Sequence, residues 1–262
     1  MMNKFIEAQS HMVTRITQQI LEERAFYLMY QPIINADKQI LRLEALLRLN
    51  EKYSKKISLS HFIYTLEKNN KIFILTKFVI QNSFYKLNLW QKELNKKIHL
   101  SFNISSQDIA EPELFRTLYE NCYQYHIDPF QITLEITETQ CLKRNERFLS
   151  NFQRLLQAGF NLSLDDFGSG YSNSKVLDFF NFTNVKIDKS LIPKNAQQIS
   201  KIHKLKKQVK LFKKNNINVT AEGIENNFCW DLCKKLDINL FQGFFISHPK
   251  TFKEITQILQ SQ

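Results

Sequence analysis

Short apolar runs recur along the chain, and seven of them end in polar side chains. The runs read QILRLE, IHLSFN, ITLE, FNLSLDD, TNVK, INVTAE and INLFQ. The polar residues at their ends are Glu44, Asn103, Glu135, Asp165 with Asp166, Lys186, Glu222 and Gln242. Polar groups at the ends of buried strands are typical of the carboxyl face of a (β/α)8 barrel, where side chains of different strands converge. The pattern therefore predicts one active site built by several strands.

Segments with helical spacing alternate with these runs. Amphipathic spacing predicts an N-terminal helix at residues 4–24 and further helices near 60–90, 112–125, 145–158, 173–180, 201–214, 226–236 and from 251 onward. Eight β-like segments separated by helices favour a closed barrel, and the short link NADK after the first of them favours an antiparallel first pair. We predict an α/β fold, a (β/α)8 TIM-like barrel over residues 26–262, with residues 1–25 as a helical extension that could serve in packing or dimerisation.

Composition limits the class of protein. With 262 residues, 43% hydrophobic and 23% charged, the chain is expected to form one globular domain rather than a disordered or fibrous protein. No apolar stretch approaches the roughly 18 to 20 residues of a membrane span, and no signal-peptide core is evident, so a cytoplasmic location is expected. Cys229 and Cys233 are expected to be two half-buried thiols one helical turn apart.

The formal net charge of +11 raises the question of a nucleic-acid partner. Much of the excess lies in KIHKLKKQVKLFKK, residues 201–214, where apolar residues fall near helical spacing and lysines occupy the other faces. This favours an outer barrel helix with a solvated lysine side, because charge alone supports only non-specific attraction. No specific nucleic-acid polymer is therefore expected as a partner, although a basic surface would help to attract a small anionic nucleotide.

The strand-end residues suggest a divalent-metal site. Carboxylates with one amide suit Mg²⁺ or Mn²⁺, whereas zinc would require His or Cys, and none of the six histidines lies in these strand-end motifs. At a strand end, Asp165 and Asp166 can turn toward the same pocket and bridge two ions. Such a pair of ions is suited to phosphodiester hydrolysis. Lys186 would neutralise negative charge at the site or orient the attacking water. Any single carboxylate alone would more often be a surface acid.

Taken in order, the motifs resemble the EAL-domain cyclic di-GMP phosphodiesterase family over residues 26–250. The matching segments are YQPI (30–33), EALLR (44–48), FNIS (102–105), LEITET (134–139), DDFGSGYS (165–172), VKID (185–188), AEGIE (221–225) and QGFFISHP (242–249). The three letters EAL alone would carry no information, but the ordered series is specific. The resemblance implies a barrel of the EAL type and hydrolysis of cyclic di-GMP to linear pGpG, which would lower a second messenger that controls motility, biofilm and adhesion.

The resemblance also implies roles for individual residues. The implied ligands of two Mg²⁺ or Mn²⁺ ions are Glu44, Asn103, Glu135, Asp165, Asp166 and Glu222. Lys186 would assist the water, so that the implied catalytic set is Lys186, Glu44, Asp165, Asp166 and Glu222. The implied substrate contacts are Gln31, Leu46, Arg48 and Gln242. Glu138 would anchor the loop after Asp166, and Glu225 would be a further acid beside the ligands. Family members often form homodimers through helices near that loop.

Two other readings stay open. The chain could be a catalytically silent cyclic di-GMP receptor or a protein-binding regulator, but such members usually lose metal ligands or the lysine, and all are present here. An unrelated barrel hydrolase, such as a two-carboxylate glycosidase, would explain two acids and not the other residues. Departures from the family pattern are Ser169, Asn173 and His248, none of which belongs to the implied metal set.

Overall fold

The computed structural model describes residues 2–137, 141, 145–169 and 176–261. Its strands are β1 (Phe26–Ile34), β2 (Ile40–Leu49), β3 (His99–Asn103), β4 (Ile132–Thr137), β5 (Asn161–Phe167), β6 (Asn184–Ile187), β7 (Asn218–Ala221) and β8 (Leu240–Phe241). Its described helices are α1 (Met2–Glu22), α2 (Glu51–Ser54), α3 (Leu59–Lys68), α4 (Ile72–Leu94), α5 (Ser106–Ala110), α6 (Leu114–Tyr125), α7 (Glu146–Gln157), α8 (Val176–Phe179), α9 (Ile199–Lys214), α10 (Asn227–Lys235) and α11 (Phe252–Gln260).

The strands close into a barrel in the order β1 to β8. β1 is antiparallel to both of its neighbours, β2 and β8, and the other pairs are parallel. The turn after β1 explains the antiparallel pair, because Asn35 Oδ1 accepts hydrogen bonds from the amides of Asp37 and Gln39 and Lys38 adopts φ +64°. The predicted barrel, its antiparallel first strand and the N-terminal helix are thus confirmed.

The helical segment predicted at residues 60–90 is two helices, α3 and α4. Asn70 adopts φ +52° between them, and the Lys71 amide donates to the Leu66 carbonyl at 2.8 Å, which ends α3 as a left-handed cap. The prediction also omitted α5, which begins with a capping box in which Ser105 and Asp108 bond each other's backbone. Both differences arise from helix capping by Asn, Ser and Asp. The spacing of hydrophobic residues does not predict where such caps end or begin a helix.

The N-terminal helix α1 packs outside the barrel. It contributes Ile16 and Ile20 to a hydrophobic cluster with Phe26, Tyr53 and Phe62, separate from the main core between the sheet and the outer helices. The helix α3 therefore has two contacts: its Phe62 belongs to this second cluster, and other residues of α3 line a cavity. Among the helices that the structure describes, none has both the length and the apolar character needed to cross a bilayer.

Two other features of the sequence find simple structural explanations. The apolar residues Leu205, Val209 and Phe212 of α9 are buried, while Lys206 and Lys210 are exposed, so the lysine-rich segment is an outer helix with a solvated face. The cysteines of α10, Cys229 and Cys233, are fully buried rather than half-buried. Burial raises the pKa of the Cys233 thiol to about 12, so this thiol stays protonated and unreactive.

The interior of the barrel has two polar layers, because every second residue of a strand faces inward. We call the layer nearer the carboxyl ends of the parallel strands the upper layer; it consists of Gln31, Glu44, Glu135, Asp165, Lys186, Glu222 and Gln242. We call the layer beneath it the lower layer; it consists of Arg42, Ser101, Thr133, Ser163, Asn184 and Thr220. The charged groups of the upper layer are therefore packed above a layer whose side chains, apart from Arg42, are polar and uncharged.

Candidate active site

Lys186 occupies the centre of the upper layer. Its side chain comes from β6 and is 2% exposed. The distances from its Nζ are 2.7 Å to Glu222 Oε1, 2.8 Å to Glu135 Oε2, 3.1 Å to Glu44 Oε2 and 3.2 Å to Asp165 Oδ1. These four carboxylates come from four different strands or strand ends, so closure of the barrel brings them to one ammonium group.

The electrostatics of this cluster are unbalanced, since four carboxylates share one contacting cation. Burial raises the pKa of Glu222 to about 8 against the attraction of Lys186. Burial, with the nearby Glu44 charge, raises the pKa of Glu135 well above its usual value. Burial also opposes ionisation of Glu44, but Lys186 and the Gln242 amide outweigh it and lower the pKa of Glu44. Like charges held this close favour a further cation.

Lys186 itself stays charged. Burial alone lowers the pKa of its ammonium, but Asp165, Glu135, Glu222 and Glu44 together raise that pKa well above the ordinary value. A lysine that cannot release its proton near neutral pH serves as a cation and hydrogen-bond donor and not as a base. It donates to Glu135 Oε2 and Glu44 Oε2 and so fixes the orientation of both carboxylates.

The adjacent residues Asp165 and Asp166 turn toward the same place. Consecutive residues of a regular strand point to opposite faces. Here Asp166 adopts φ +55°, and the register of β5 against β6 shifts between Leu164 and Phe167. This bulge brings carboxylate oxygens of Asp165, Asp166 and Glu222 within 4.8 Å of one another. Burial, with Asp165 next to it, raises the pKa of Asp166 to about 6.

Side-chain amides hold Glu44 from the other side. Gln242 Nε2 donates to Glu44 Oε2 at 2.7 Å and to Gln31 Oε1 at 3.2 Å. Gln31 Nε2 in turn donates to the Ser247 carbonyl at 2.9 Å, which links β1 to the loop after β8. Asn103 Nδ2 donates to Glu44 Oε1 at 3.2 Å, although the rest of Asn103 is exposed. Both oxygens of Glu44 are therefore positioned by neighbouring residues.

Two cavities meet above this cluster. The first, of about 340 Å³, is lined by Gln31, Glu44, Leu46, Asp165, Asp166, Lys186, Asp188, Lys189, Glu222, Gly223, Glu225, Gln242, Gly243 and Phe244. The second, of about 530 Å³, extends along α3 and is lined in part by Arg48, Tyr64, Glu67 and Asn103. Leu46, Asp165 and Asp166 belong to both, so the carboxylates lie where the two cavities join.

Three predicted residues lie away from the carboxylate cluster or outside the described residues. Arg48 lines the second cavity and not the first, and its Nη1 donates to the carbonyl of Leu47 at 2.8 Å. Glu225 lies at the rim of the first cavity, where it forms an ion pair with Lys194 at 2.8 Å with its side chain 41% exposed. Glu138 lies outside the described residues, as do residues 170–175.

The structure adds residues that the motifs did not single out. Asp188 and Lys189 line the first cavity, and Tyr64 and Glu67 line the second. Asp188 could have been found from the sequence, because it stands two positions after Lys186 at the end of the same strand. Tyr64 and Glu67 carried no such signal, since they are helix residues whose position beside β2 depends on tertiary packing.

Comparison with known proteins places the chain in a family. The family model described as "EAL domain" matches residues 14–249. A relative from Synechocystis, the uncharacterized protein sll1895, is 31% identical over 92% of this chain and 35% of its own length. The cyclic di-GMP phosphodiesterase RocR of Pseudomonas aeruginosa is 27% identical over 87% of this chain and 58% of its own length. This chain thus spans less than two thirds of either relative.

A solved structure supports the fold. It is described as the PaMucR phosphodiesterase in complex with c-di-GMP, and it matches with a TM-score of 0.83 and 24% identity. The match covers 93% of this chain and 99% of that one. The likeness in structure shows a shared fold, and the family model covers nearly the whole chain. The chain belongs to the EAL domain family.

Proposed function

We propose that this protein is a divalent-metal-dependent phosphodiesterase that hydrolyses cyclic di-GMP to linear pGpG. The observation that carries the proposal is the convergence of Glu44, Glu135, Asp165 and Glu222 on Lys186 at the junction of two cavities. Phosphodiester hydrolysis requires cations beside the phosphate and a positioned water. A carboxylate cluster of this kind can bind such cations. The names of RocR and of the PaMucR complex agree with that substrate.

The donor set fits Mg²⁺ or Mn²⁺. The ligand atoms available are carboxylate and amide oxygens, and those of Asp165, Asp166 and Glu222 lie within one ion's reach of each other. Glu135 Oε1 and Gln242 Oε1 are buried and receive no hydrogen bond from a described donor, so they are further oxygens that a cation would satisfy. We assign Glu44, Asn103, Glu135, Asp165, Asp166 and Glu222 to hold two ions. When bound, such ions polarise a phosphate oxygen and lower the pKa of water.

The chain's own residues perform the other tasks. Lys186, held protonated by its carboxylate neighbours, fixes Glu44 and Glu135 and can orient the attacking water by donating a hydrogen bond to it. The water oxygen forms a bond to phosphorus while the bond from phosphorus to the ribose O3′ breaks. The attacking water gives up one proton and the leaving O3′ takes one up, so the product carries a 5′-phosphate and a 3′-hydroxyl. Gln242 and Gln31 keep Glu44 in place throughout.

The two cavities suit a substrate with two similar halves. Their volumes, about 340 and 530 Å³, fall within the range of small-molecule sites, and their junction lies at the carboxylates. We assign one guanylate to each cavity, so that one phosphate lies beside Asp165 and Asp166. In the second cavity, Tyr64 presents an exposed ring on which a base can stack, and Arg48 supplies a guanidinium for the other phosphate. Lys189 lies at the mouth of the first cavity.

Substitution of Glu44 provides a direct test. Glu44→Ala removes a carboxylate that contacts Lys186, Gln242 and Asn103, and we expect it to abolish pGpG formation while the circular dichroism spectrum stays that of the folded protein. Glu51→Ala is the matched control, because the Glu51 side chain is 83% exposed and pairs with Lys55 at the surface. Wild-type turnover in Glu44→Ala would remove Glu44 from the reaction.

A physiological role follows from this activity. We propose that the protein lowers cyclic di-GMP and thereby favours motility over biofilm and adhesion. Deletion of its gene should raise the nucleotide level and strengthen biofilm. A deletion strain with wild-type nucleotide level, motility and biofilm would contradict this role without bearing on the chemistry.

A further inference from the structure

Arg42 lies in the lower layer, beneath the carboxylates. It precedes Glu44 by two positions on β2, so strand alternation turns both side chains into the barrel. Its register partner on β3 is His99. No motif of the chain includes Arg42, and the proposed reaction assigns it no role. Arg42 as a whole is half-buried, but two nitrogen atoms of its guanidinium are excluded from solvent. This requires a physical explanation, because the charge of arginine is almost never removed from water without a compensating charge.

The polar atoms around Arg42 have few partners. Its Nε and Nη1 are excluded from solvent and make no hydrogen bond within the described part of the chain. The same holds for Ser101 Oγ, Thr133 Oγ1 and Glu135 Oε1 on the two following strands. In strand register Glu44 lies opposite Ser101, and Ser101 lies opposite Thr133, so these atoms belong to one side of the interior, formed by β2, β3 and β4.

Strand alternation places the Glu44 carboxylate above Arg42 on the same face of β2, and Glu135 lies in the same upper layer as Glu44. Burial lowers the pKa of the Arg42 guanidinium, and the carboxylates of Glu135 and then Glu44 oppose that shift by favouring its charge. Those two carboxylates already share Lys186 with Asp165 and Glu222. A second fixed cation below the cluster therefore stabilises a set of acids that one ammonium group cannot balance.

We propose that Arg42 is a positioning residue of the metal site, a half-buried counter-cation that keeps Glu135 and Glu44 assembled and competes with the divalent ions for them. The inference rests on the proposed metal site. Cations that share one set of carboxylates repel each other, and coupling between them is reciprocal. Arg42 therefore limits the affinity for metal while it holds the carboxylates together before metal binds.

The first test is calorimetric titration of EDTA-treated protein with Mn²⁺. We expect Arg42→Met, which keeps the volume and removes the charge, to bind Mn²⁺ on the order of tenfold more tightly than wild type. Arg42→Lys should restore wild-type affinity, and Arg147→Met on the exposed face of α7 is the matched control. If wild type binds Mn²⁺ and Arg42→Met binds it equally, the inference is wrong and the proposed function stands. If wild type binds no Mn²⁺, the proposed metal site is wrong.

The second test needs no metal. A double-mutant cycle combines Arg42→Met with Glu44→Gln, because the lowered pKa of Glu44 keeps it ionised without metal, and compares urea unfolding midpoints in EDTA. The cost of burying the guanidinium is common to both backgrounds and cancels in the cycle, so the remaining coupling reports the attraction between the two charges. We expect Arg42→Met to lower the unfolding midpoint clearly more in the protein that keeps Glu44 than in the Glu44→Gln background. Arg42→Gln replaces Arg42→Met if the latter fails to fold. Additive shifts would overturn the role of Arg42.

Discussion

The two polar layers of the barrel interior differ in how well their groups are satisfied. In the upper layer four carboxylates share the ammonium of Lys186, and burial raises the pKa values of Glu135 and Glu222. In the lower layer, on the side of β5 to β7, the Asn184 amide bridges the hydroxyls of Ser163 and Thr220, whichever way the amide is turned. The upper layer stores unfavourable charge, whereas the side of the lower layer from β5 to β7 is neutral and hydrogen-bonded.

This difference assigns a functional role to the upper layer and a stabilising role to the side of the lower layer near Asn184. Buried groups that are fully paired contribute to folding and leave little capacity to bind anything else. Buried like charges cost free energy in folding and become favourable when a cation binds. We therefore expect substitutions in the upper layer to change activity and metal-dependent stability, and substitutions in the lower layer near Asn184 to change stability alone.

Lys186→Met should give the largest effect, because it removes the one cation that contacts all four carboxylates. We expect a loss of hydrolysis of about 10²-fold to 10³-fold, as for removal of other positioned hydrogen-bond donors, and a loss of about 3 to 5 kcal/mol in the unfolding free energy measured with urea in EDTA. Lys207→Met on the solvated face of α9 is the control. Wild-type turnover in Lys186→Met would show that the centre of the cluster is only structural.

The next effect concerns pH. The pKa of Glu222 in the folded protein is about 8 and its ordinary value is 4.5, so the unfolded chain ionises first. Stability contributed by the protonated carboxyl is present below the ordinary pKa and is lost as pH rises through about 8. Each pKa unit corresponds to about 1.4 kcal/mol. The unfolding free energy of EDTA-treated protein should therefore fall by a few kcal/mol between about pH 5.5 and about pH 8.5.

Urea unfolding at several pH values, with and without saturating Mn²⁺, measures this slope. Mn²⁺ should flatten it, because a cation stabilises the ionised carboxylates, and Glu222→Gln should flatten it without metal. If the slope is identical in wild type and in Glu222→Gln, Glu222 is not the group that limits stability.

A smaller effect is expected from Asn184→Ala in the lower layer. The change leaves the buried hydroxyls of Ser163 and Thr220 without their shared partner, which should cost about 1 to 3 kcal/mol of unfolding free energy. Turnover of cyclic di-GMP should stay close to wild type, because Asn184 does not line either cavity. Asn218→Ala at the exposed start of β7 is the control. A large loss of turnover with little loss of stability would reverse the assignment of the two layers.

Ser163→Ala should have the smallest effect. It removes one hydroxyl from the bridge and leaves Asn184 bonded to Thr220, so we expect a loss of about 1 kcal/mol. Differential scanning calorimetry of Ser163→Ala beside Asn184→Ala gives the order directly. A larger loss in Ser163→Ala than in Asn184→Ala would show that the amide is not the organising group.

Local patterns predicted much of this molecule. Strand ends with polar residues placed Glu44, Glu135 and Lys186 at one face of a barrel, because alternation and closure follow from short-range rules. The short link after β1 predicted the antiparallel pair, because so few residues can join two antiparallel strands but not two parallel ones. Even the joint orientation of Asp165 and Asp166 was expected at a strand end, although the left-handed backbone of Asp166 that produces it was not.

Other features depend on contacts distant in sequence. The break between α3 and α4 is set by caps, and the side chain of Arg48 turns to its neighbour's backbone rather than into the first cavity. The grouping of Arg42 with Ser101 and Thr133 on one side of the lower layer depends on the register of β2, β3 and β4, which no single segment encodes. Which carboxylates meet Lys186 is likewise decided by closure of the whole barrel.

The most direct test is product analysis of the purified protein with cyclic di-GMP, in Mg²⁺ or Mn²⁺ and in EDTA, beside Lys186→Met. We predict pGpG from wild type with metal, none in EDTA and little from Lys186→Met. Absence of pGpG with either metal, while the protein still binds the nucleotide, would contradict the enzymatic function and identify a receptor instead.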